Sequence, residues 1–255
     1  MSRTEPSPMP VTLSEYDGVR YLHLDSIWVQ GAMMIRRPQK VVLEYVQRML
    51  AALLWRPSAA LGQGRAVQLG LGAGALTRFT LKALKLHTTV VELNPLVVEV
   101  NRQRFHLPEG DPKLEVVVAD AGAWLREAEP GSASLLLVDL YDHEAAAPVL
   151  DDQAFYADCR RLLDEDGVFA VNLFGRDASF EASAARIAAV FGAQHTWSLR
   201  ATREGNTVVV ATRGAPWPER DERLLRADTI EARFGSLGLP ARKWLRLVRP
   251  YEPPA

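Results

Sequence analysis

Apolar strands and helical patterns alternate along the chain from residue 65 to residue 191. Each short apolar run is followed by a segment whose apolar positions recur every three or four residues, as in an amphipathic helix. The pattern predicts strands at 66–71, 88–93, 114–119, 134–141 and 167–174, and helices at 74–86, 95–105, 121–128, 153–163 and 179–191. Near-continuous apolar strands are typical of a parallel sheet covered by helices on both faces, so we expect an α/β fold.

Both ends of this alternating region depart from the pattern. The apolar runs 195–201 and 207–212 are joined by a link of only five residues, which forces an antiparallel pair. A parallel sheet finished by an antiparallel hairpin is the pattern of class I AdoMet-dependent (S-adenosylmethionine-dependent) transferases, which are Rossmann-like. At the other end, Asp17-Gly18 separates two strand-like stretches within 11–24, and 27–34 adds a further strand. A small β-element is therefore expected before the main sheet.

These elements divide the chain into three expected parts. Residues 1–36 hold an N-terminal tail and the small β-element, 37–213 the Rossmann-like nucleoside-binding transferase domain, and 214–255 a C-terminal extension. The apolar stripe that follows Pro38 predicts a helix as far as Leu54. Residues 56–65 are expected to form a loop, and a further helix is predicted near 219–233.

Composition narrows the class of protein. The chain has 255 residues, is 48% hydrophobic and 24% charged, and carries a formal net charge of -1. This balance is typical of a globular core and gives no global argument for nucleic-acid binding. No run of apolar residues is long enough to cross a membrane. Cys159 is the single cysteine, which excludes an intramolecular disulfide and Cys-x-x-Cys metal sites. We expect a cytoplasmic protein without a metal, a nucleic-acid partner or a membrane anchor.

A glycine-rich turn provides the first candidate for chemistry. Gly70, Gly72 and Gly74 follow the first strand of the main sheet and precede a helix. Glycines let the backbone approach a ligand closely, and the N–H groups that begin a helix face it. Glu92 ends the next strand, 20 residues after Gly72, a distance that suits a carboxylate bound to ribose hydroxyls. The spacing predicts a nucleoside site, although a glycine turn can also be merely structural.

Acidic residues follow two further strands. Asp120, followed by Ala121, is placed to accept a hydrogen bond from an adenine amino group, or else to cap the next helix. Asp139 lies near the end of the fourth strand, and Asp142 follows in a loop. Two close carboxylates can bind an amine, and one can take its proton, with a pKa raised by burial and like charge. The alternative is a solvated loop with a turn-forming aspartate.

Taken together, these stretches resemble the spermidine synthase (polyamine aminopropyltransferase) family over about residues 13–212. The resemblance is carried by Leu24-Asp25, Gln30, residues 69–74 (Leu-Gly-Leu-Gly-Ala-Gly), residues 91–95 (Val-Glu-Leu-Asn-Pro), residues 118–121 (Val-Ala-Asp-Ala), residues 139–142 (Asp-Leu-Tyr-Asp), Phe155-Tyr156 and residues 162–168. The family implies decarboxylated AdoMet as the cofactor, a small amine such as putrescine as the acceptor, and methylthioadenosine as a product. It also implies a homodimer.

The resemblance assigns roles by position. Glu92 would hold the ribose, Asp120 the adenine, Asp139 would act as the base, Asp142 would bind the amine, and Gln30 would border the cofactor. The expected cofactor-binding residues are Gln30, Gly70, Gly72, Gly74, Glu92, Asp120, Ala121 and Asp139. The expected catalytic residues are Asp139, Asp142 and Tyr45.

Three positions depart from the family pattern. Ala73 stands where an aspartate would face the cofactor's ammonium group, Gln47 stands at the glutamate of a Tyr-His-Glu motif, and His143 replaces a proline. Tyr45 is the nearest match to the tyrosine of that motif. Ala73 favours an alternative, an AdoMet-dependent methyltransferase, because AdoMet carries its own carboxylate. A nucleoside-binding protein without turnover also stays open, and an NAD-linked oxidoreductase is disfavoured by the terminal hairpin.

Overall fold

The computed structural model describes residues 9–140, 150–174 and 178–253. Its first unit is an antiparallel sheet of three strands, β1 (Val11–Tyr16), β2 (Val19–Leu24) and β3 (Gly31–Met34), in that order. Asp17 and Gly18 form the tight turn between β1 and β2, with positive φ angles of 49° and 72°. Such a turn matches the twist of the two strands, and the predicted hairpin is confirmed.

The main sheet contains eight strands. In chain order they are β4 (Arg65–Leu69), β5 (His87–Glu92), β6 (Leu114–Val118), β7 (Ala133–Val138), β8 (Leu163–Phe174), β9 (Thr196–Leu199), β10 (Asn206–Thr212) and β11 (Val248–Pro250). Their spatial order is β11-β9-β10-β8-β7-β4-β5-β6. The five strands from β4 to β8 are parallel, whereas β10 is antiparallel to both β8 and β9. The predicted fold class, with its terminal antiparallel hairpin, is confirmed.

Helices cover both faces of this sheet. They are α1 (Glu44–Met49), α2 (Ala75–Arg78), α3 (Pro95–Arg104), α4 (Ala121–Glu127), α5 (Gln153–Leu162), α6 (Ala178–Phe191), α7 (Arg220–Phe234) and α8 (Ala241–Trp244). A 3₁₀ segment, Leu50–Trp55, extends α1, and a π-helical turn, Phe79–Ala83, extends α2. In the part of the chain described, no helix combines the length and apolar character that a membrane span requires.

The prediction of a helix that begins at Pro38 is wrong, because α1 begins only at Glu44. Leu43 still has extended backbone, with φ −74° and ψ 133°. The segment before it is held by bonds to other parts of the chain: Val41 N donates to Leu237 O at 2.8 Å, and Gln47 Nε2 donates to Val41 O at 2.9 Å. These bonds satisfy backbone groups that a helix would otherwise use, so local helical periodicity is overridden.

The C-terminal residues belong to the main hydrophobic core. Ile230, Phe234, Trp244 and Val248 are buried in the same cluster as the α1 segment and one face of the sheet. Phe234 also packs edge-on against Phe79, with ring centroids 5.2 Å apart. The predicted helix near 219–233 is confirmed as α7, while the added edge strand β11 had no signal in the apolar pattern. The extension therefore helps to support the sheet from which the site is built.

Candidate active site

Four of the predicted site residues converge at one edge of the main sheet. Register pairs Leu69 at the end of β4 with Val91 in β5 and with Val138 in β7. Gly70, Glu92, Asp120 and Asp139 therefore all lie at or just beyond the carboxyl ends of neighbouring parallel strands. Ligands of open α/β sheets bind in the crevice at this edge. The convergence predicted from the strand pattern is present in the structure.

The glycine turn approaches other backbone so closely that side chains are excluded. Gly70, Gly72 and Gly74 all have positive φ, at 91°, 51° and 66°. A Cβ on Gly70 would lie 2.2 Å from the carbonyl oxygen of Asp139, and one on Gly72 would lie 2.9 Å from that of Gln30. Only glycine accommodates both the left-handed backbone and these contacts. The turn is thus fixed between the end of β7 and the start of β3.

Two buried side chains bind the carbonyl groups of this turn. Asn101 Nδ2, on α3, donates to Gly72 O at 2.7 Å, and Arg78 Nη1, on α2, donates to Ala73 O at 2.6 Å. Arg78 is 2% exposed, and burial lowers its pKa to about 10. With these carbonyls held on the protein side, the backbone conformation of the turn is specified before any ligand binds. Neither residue was identified from the sequence.

Glu92 braces the turn from the neighbouring strand. Its Oε2 accepts a hydrogen bond from Leu71 N at 2.9 Å, and its Oε1 accepts one from Asn94 N at 2.9 Å. Burial raises the pKa of this carboxyl, and the backbone bonds oppose that change. A carboxylate offers about four lone-pair sites, so Glu92 retains acceptor capacity for hydroxyl donors. Its predicted contact with ribose stays a prediction.

Asp120 lies at the rim of the crevice. It is exposed, and its Oδ1 accepts a hydrogen bond from Ala123 N at 2.7 Å. Asp120 thus caps α4, whose first residue is the buried Ala121. The capping role is confirmed, and the adenine contact of Asp120 and Ala121 stays a prediction. Nearby strand ends expose large apolar side chains that the sequence had not marked: Leu93 is 67% exposed and Val118 52%.

Asp139 and Tyr45 meet although 94 positions separate them in the chain. Tyr45, on α1, hydrogen-bonds to the Asp139 carboxylate, and Asn172 Nδ2, on β8, donates to Asp139 Oδ1 at 2.9 Å. Burial raises the pKa of Asp139, and the two hydrogen bonds oppose that rise. A buried carboxyl with a raised pKa is suited to accept a proton. The sequence named both residues as catalytic candidates without pairing them, and their catalytic roles stay predictions.

Asn172 is the residue that sequence reasoning missed most clearly. It is 3% exposed and stands alone as a polar side chain within the apolar run 168–173 of β8. A buried amide requires hydrogen-bond partners, so its position near the end of a central strand was a usable signal. The side chain belongs to the same face of the sheet as Ala170, against which α1 packs. This explains how it reaches the carboxylate that Tyr45 also contacts.

The departures from the family pattern have structural settings. Ala73 is 2% exposed, and a Cβ on Gly31 would lie 2.6 Å from the Ala73 Cβ. The turn therefore packs directly onto the start of β3. The side chain of Gln47 is engaged elsewhere in the fold, since its Nε2 donates to Val41 O and lies next to Gly238. Gln30 borders the turn through its backbone, with its N–H bonded to Leu22 O at 2.8 Å.

Some predictions fall outside the described residues or stay untested. Asp142 and His143 lie in the segment 141–149, which the description does not cover. Within the described ranges, no group of three or more His, Cys, Asp or Glu side chains is arranged to hold a metal ion.

Fold and site together define a class I AdoMet-type, Rossmann-like protein with an acidic crevice. The profile of the spermine/spermidine synthase domain matches residues 67–186. The polyamine aminopropyltransferase of Chromobacterium violaceum is 34% identical over 227 residues, which cover 88% of this chain and 85% of that protein. The chain therefore belongs to the spermine/spermidine synthase family, and the resemblance seen in the sequence is confirmed.

Solved structures agree at the level of the fold. A probable spermidine synthase from Corynebacterium glutamicum superposes with a TM-score of 0.73 at 18% identity, covering 87% of this chain and 83% of that one. Human methyltransferase-like protein 13, solved in complex with SAH, gives a TM-score of 0.67 at 23% identity, covering 76% and 93%. The fold is thus shared by a probable spermidine synthase and a methyltransferase-like protein, and side chains must distinguish between the two kinds of chemistry.

Proposed function

We propose that this protein transfers the aminopropyl group of decarboxylated AdoMet to a small amine such as putrescine and releases methylthioadenosine. The observation that carries the proposal is the Asp139 carboxylate, which is hydrogen-bonded by Tyr45 and Asn172. The backbone carbonyl of the same residue lies against the glycine turn. This arrangement supplies a proton acceptor at the wall of a nucleoside crevice. Curated relatives that are 32–34% identical over 88% of the chain are named polyamine aminopropyltransferase, which supports the same reaction.

The nucleoside half of the donor would occupy the ends of β4, β5 and β6. Glu92 would accept hydrogen bonds from the ribose, and the second carboxylate oxygen of Asp120 would accept one from the adenine amino group. The exposed side chains of Leu93 and Val118 would cover the adenine ring, because apolar surface is stabilised by burial against an aromatic plane. The rest of the surface in contact with the nucleoside would be formed by Gly70, Gly72, Gly74, Ala121 and Gln30.

The chemistry that the donor brings is a methylene activated by an adjacent sulfonium. The attacking amine nitrogen forms a C–N bond as the C–S bond breaks, and the sulfur leaves with the electron pair as a neutral thioether. An amine must be unprotonated to attack, so Asp139 would accept its proton, and Tyr45 would hold the carboxylate in place. Alignment of the nitrogen with the C–S bond supplies the rest of the acceleration. Asp142 is proposed to bind the amine acceptor.

Methyl transfer from AdoMet is the second candidate, and Ala73 is the observation that favours it. The family's aspartate would face the donor's ammonium group, and the contact that it makes is typically worth about 1.5–3 kcal/mol. Alanine cannot make that contact, although AdoMet, with its own carboxylate, does not need it. Relatives named polyamine aminopropyltransferase match at 32–34% identity over 88% of the chain. A relative named as an N-methyltransferase matches at 28% over 86% of the chain and over only 43% of its own length, so methyl transfer is the less favoured function.

One assay separates these functions. The purified protein is incubated with putrescine and either decarboxylated AdoMet or AdoMet, and the release of methylthioadenosine and of S-adenosylhomocysteine is quantified by mass spectrometry. Aminopropyl transfer predicts methylthioadenosine only, from the decarboxylated donor and in proportion to the amine. Release of S-adenosylhomocysteine would transfer the assignment to methyl transfer. Binding of either donor without any product would leave a nucleoside-binding protein.

The proposal includes an oligomeric state and a location. A homodimer is expected from membership of the family, and a cytoplasmic location is expected from the sequence. Sedimentation measures the first and fractionation of cells the second. Binding without a metal is likewise part of the proposal, and its test is turnover that is unchanged by a chelator.

A further inference from the structure

A chain of partly buried side-chain hydrogen bonds leads away from Asp139 along the sheet. Asn172 Nδ2 donates to Asp139 Oδ1 at 2.9 Å, and Asn172 Oδ1 accepts from Asn206 Nδ2 at 3.2 Å. Asn206, the first residue of β10, is in turn held at its backbone, since its N–H donates to Thr202 Oγ1 at 3.1 Å. The chain therefore joins the site to the loop between β9 and β10.

Sheet geometry explains why these two asparagines meet. Asn172 pairs with Val208 across the antiparallel strands β8 and β10, and Asn206 lies two residues from Val208. Side chains two positions apart on a strand project from the same face. Asn206 is thus the diagonal neighbour of Asn172, on the face against which α1 packs.

The second hydrogen bond determines which end of the Asn172 amide faces the carboxylate. An amide has one acceptor oxygen and one donor nitrogen, and a carboxylate only accepts. Because Asn206 donates to Asn172 Oδ1, the Nδ2 group is the end left to face Asp139. Rotation of the amide would place two donors together at one end and two acceptors together at the other. Asn206 therefore enforces the donor orientation.

Few other described groups interact with the Asp139 carboxylate. Among the described residues, Tyr45 from α1 and Asn172 from β8 hydrogen-bond to its carboxylate, and no charged side chain adds to them. The backbone N–H of Asp139 donates a hydrogen bond to Leu69 O at 2.9 Å. In this setting the ionised form depends on its hydrogen-bond donors, because burial acts against charge.

We propose that Asn172 is a positioning residue, oriented by Asn206, which aims the Asp139 carboxylate and stabilises its ionised, proton-accepting form. The proposal rests on the function proposed above in taking Asp139 as the base. Asn172 needs no contact with the substrate for this role, because it acts through the carboxylate. Its effect should therefore be visible in the pH at which Asp139 titrates, beyond any change in stability.

The sharpest variant is Asn172→Asp, which exchanges the donor nitrogen for an oxygen and keeps the acceptor for Asn206. Two facing carboxylates then share a proton, so the acid limb of the pH profile of kcat/KM moves to higher pH. Near neutral pH, kcat/KM should fall by roughly tenfold to a hundredfold, the size expected for loss of a hydrogen bond to a charged group. Part of the activity should return as the pH is raised.

Two further variants separate positioning from packing. Asn206→Ala, at a less buried position, should shift the acid limb in the same direction by a smaller amount, because the Asn172 amide is then free to rotate. The matched control is Val171→Ala, a buried neighbour on β8 that belongs to the opposite face. It should unfold at lower temperature and keep the pH profile of the wild type. A profile that moves equally in the control would show that packing alone is responsible.

A titration without turnover completes the test. Aspartate carboxyls labelled with ¹³C are followed by NMR across pH, and the Asp139 signal is assigned by its loss in Asp139→Asn. Asn172→Leu should raise the pH at which that signal titrates. An unmoved titration in folded Asn172→Leu and Asn206→Ala overturns the proposal, and the second variant decides alone if the first does not fold. Because this readout needs no donor or amine, it stands even if the aminopropyl assay is negative.

Discussion

The two sides of the crevice are built in different ways. On the nucleoside side, Gly70, Glu92 and Asp120 each lie at the end of a strand or within two residues of it, and the hydrogen bonds of the two carboxylates are with backbone groups. On the amine side, Tyr45 and Asn172 reach Asp139 from separate elements, and the contacts join side chains. The first side is therefore a property of strand ends and a turn, whereas the second depends on how distant elements pack.

This difference determines how freely each side of the crevice can accept substitutions. Backbone geometry tolerates few substitutions, because each glycine is fixed by a positive φ and a close neighbour. Side-chain contacts can be exchanged for others that satisfy the same carboxylate. Of the departures from the family pattern, Ala73 lies within the glycine turn, and Gln47 lies on α1 two residues after Tyr45. The described departures therefore fall on both sides of the crevice.

Asp139→Asn should break the amine side alone and produces the largest expected effect. The amide keeps the shape of the carboxyl but cannot accept the proton, so turnover should fall about 10²- to 10⁴-fold. Affinity for the nucleoside, measured by calorimetry with methylthioadenosine, should be unchanged because its contacts lie on the other strands. Full activity in this variant contradicts the assignment of the base.

Gly70→Ala should damage both sides, because this glycine touches the backbone of Asp139. Its new Cβ would lie 2.2 Å from that carbonyl oxygen, in addition to the strain of the positive φ. Gly18→Ala is the matched control, since Gly18 also has positive φ, 72°, but faces open space. Backbone strain alone costs about 1–2 kcal/mol. The free energy of unfolding should therefore fall further in Gly70→Ala, with turnover and nucleoside affinity both reduced.

Equal losses of stability in the two variants would show that the close contact between Gly70 and Asp139 adds nothing to the cost of backbone strain. Unfolding in denaturant gives the comparison, provided that both variants show the same dependence on denaturant concentration.

Glu92→Gln should weaken nucleoside binding. A glutamine offers one acceptor oxygen for the two backbone N–H groups that Glu92 binds, so one of them loses its partner. We expect the Kd for methylthioadenosine to rise roughly tenfold to a hundredfold. The control is Glu99→Gln on the exposed surface of α3, which should bind as the wild type does. Unchanged affinity in Glu92→Gln would place the ribose elsewhere.

The smallest expected effect is on the pH dependence of the free energy of unfolding, and it concerns the Asp139 carboxyl. The folded-state pKa of Asp139 is raised, so the folded protein is favoured while this group is protonated, and that contribution is lost as pH rises through the raised pKa. Asp139→Asn avoids the loss. Its free energy of unfolding should exceed that of the wild type at neutral pH, and the gap should close below the ordinary range of aspartate.

A wild type that is more stable than Asp139→Asn at neutral pH would mean that hydrogen bonds outweigh burial at this carboxyl. Denaturant titrations at several pH values, with both proteins measured side by side, decide the sign.

The succession of strands along the chain and the residues at their ends were within reach of the sequence because both follow short-range rules. An apolar run, a turn residue and an amphipathic segment lie next to one another in the chain, so the carboxyl ends of β4, β5 and β7 could be located. The helix expected from Pro38 failed where local periodicity competed with bonds between Val41 and Leu237. Edge strand β11 was missed because a segment of three residues carries no periodic signal.

The sequence by itself determined the class of the sheet, the family, the glycine turn and the acids at the strand ends. Only the tertiary structure decided which side chains surround Asp139, because α1, β7, β8 and β10 are brought together by packing rather than by proximity in the chain. It also decided the setting of the carboxyl, because burial and hydrogen bonding depend on every neighbour in space. Residue types and spacing locate a carboxylate, and the folded surroundings determine its charge.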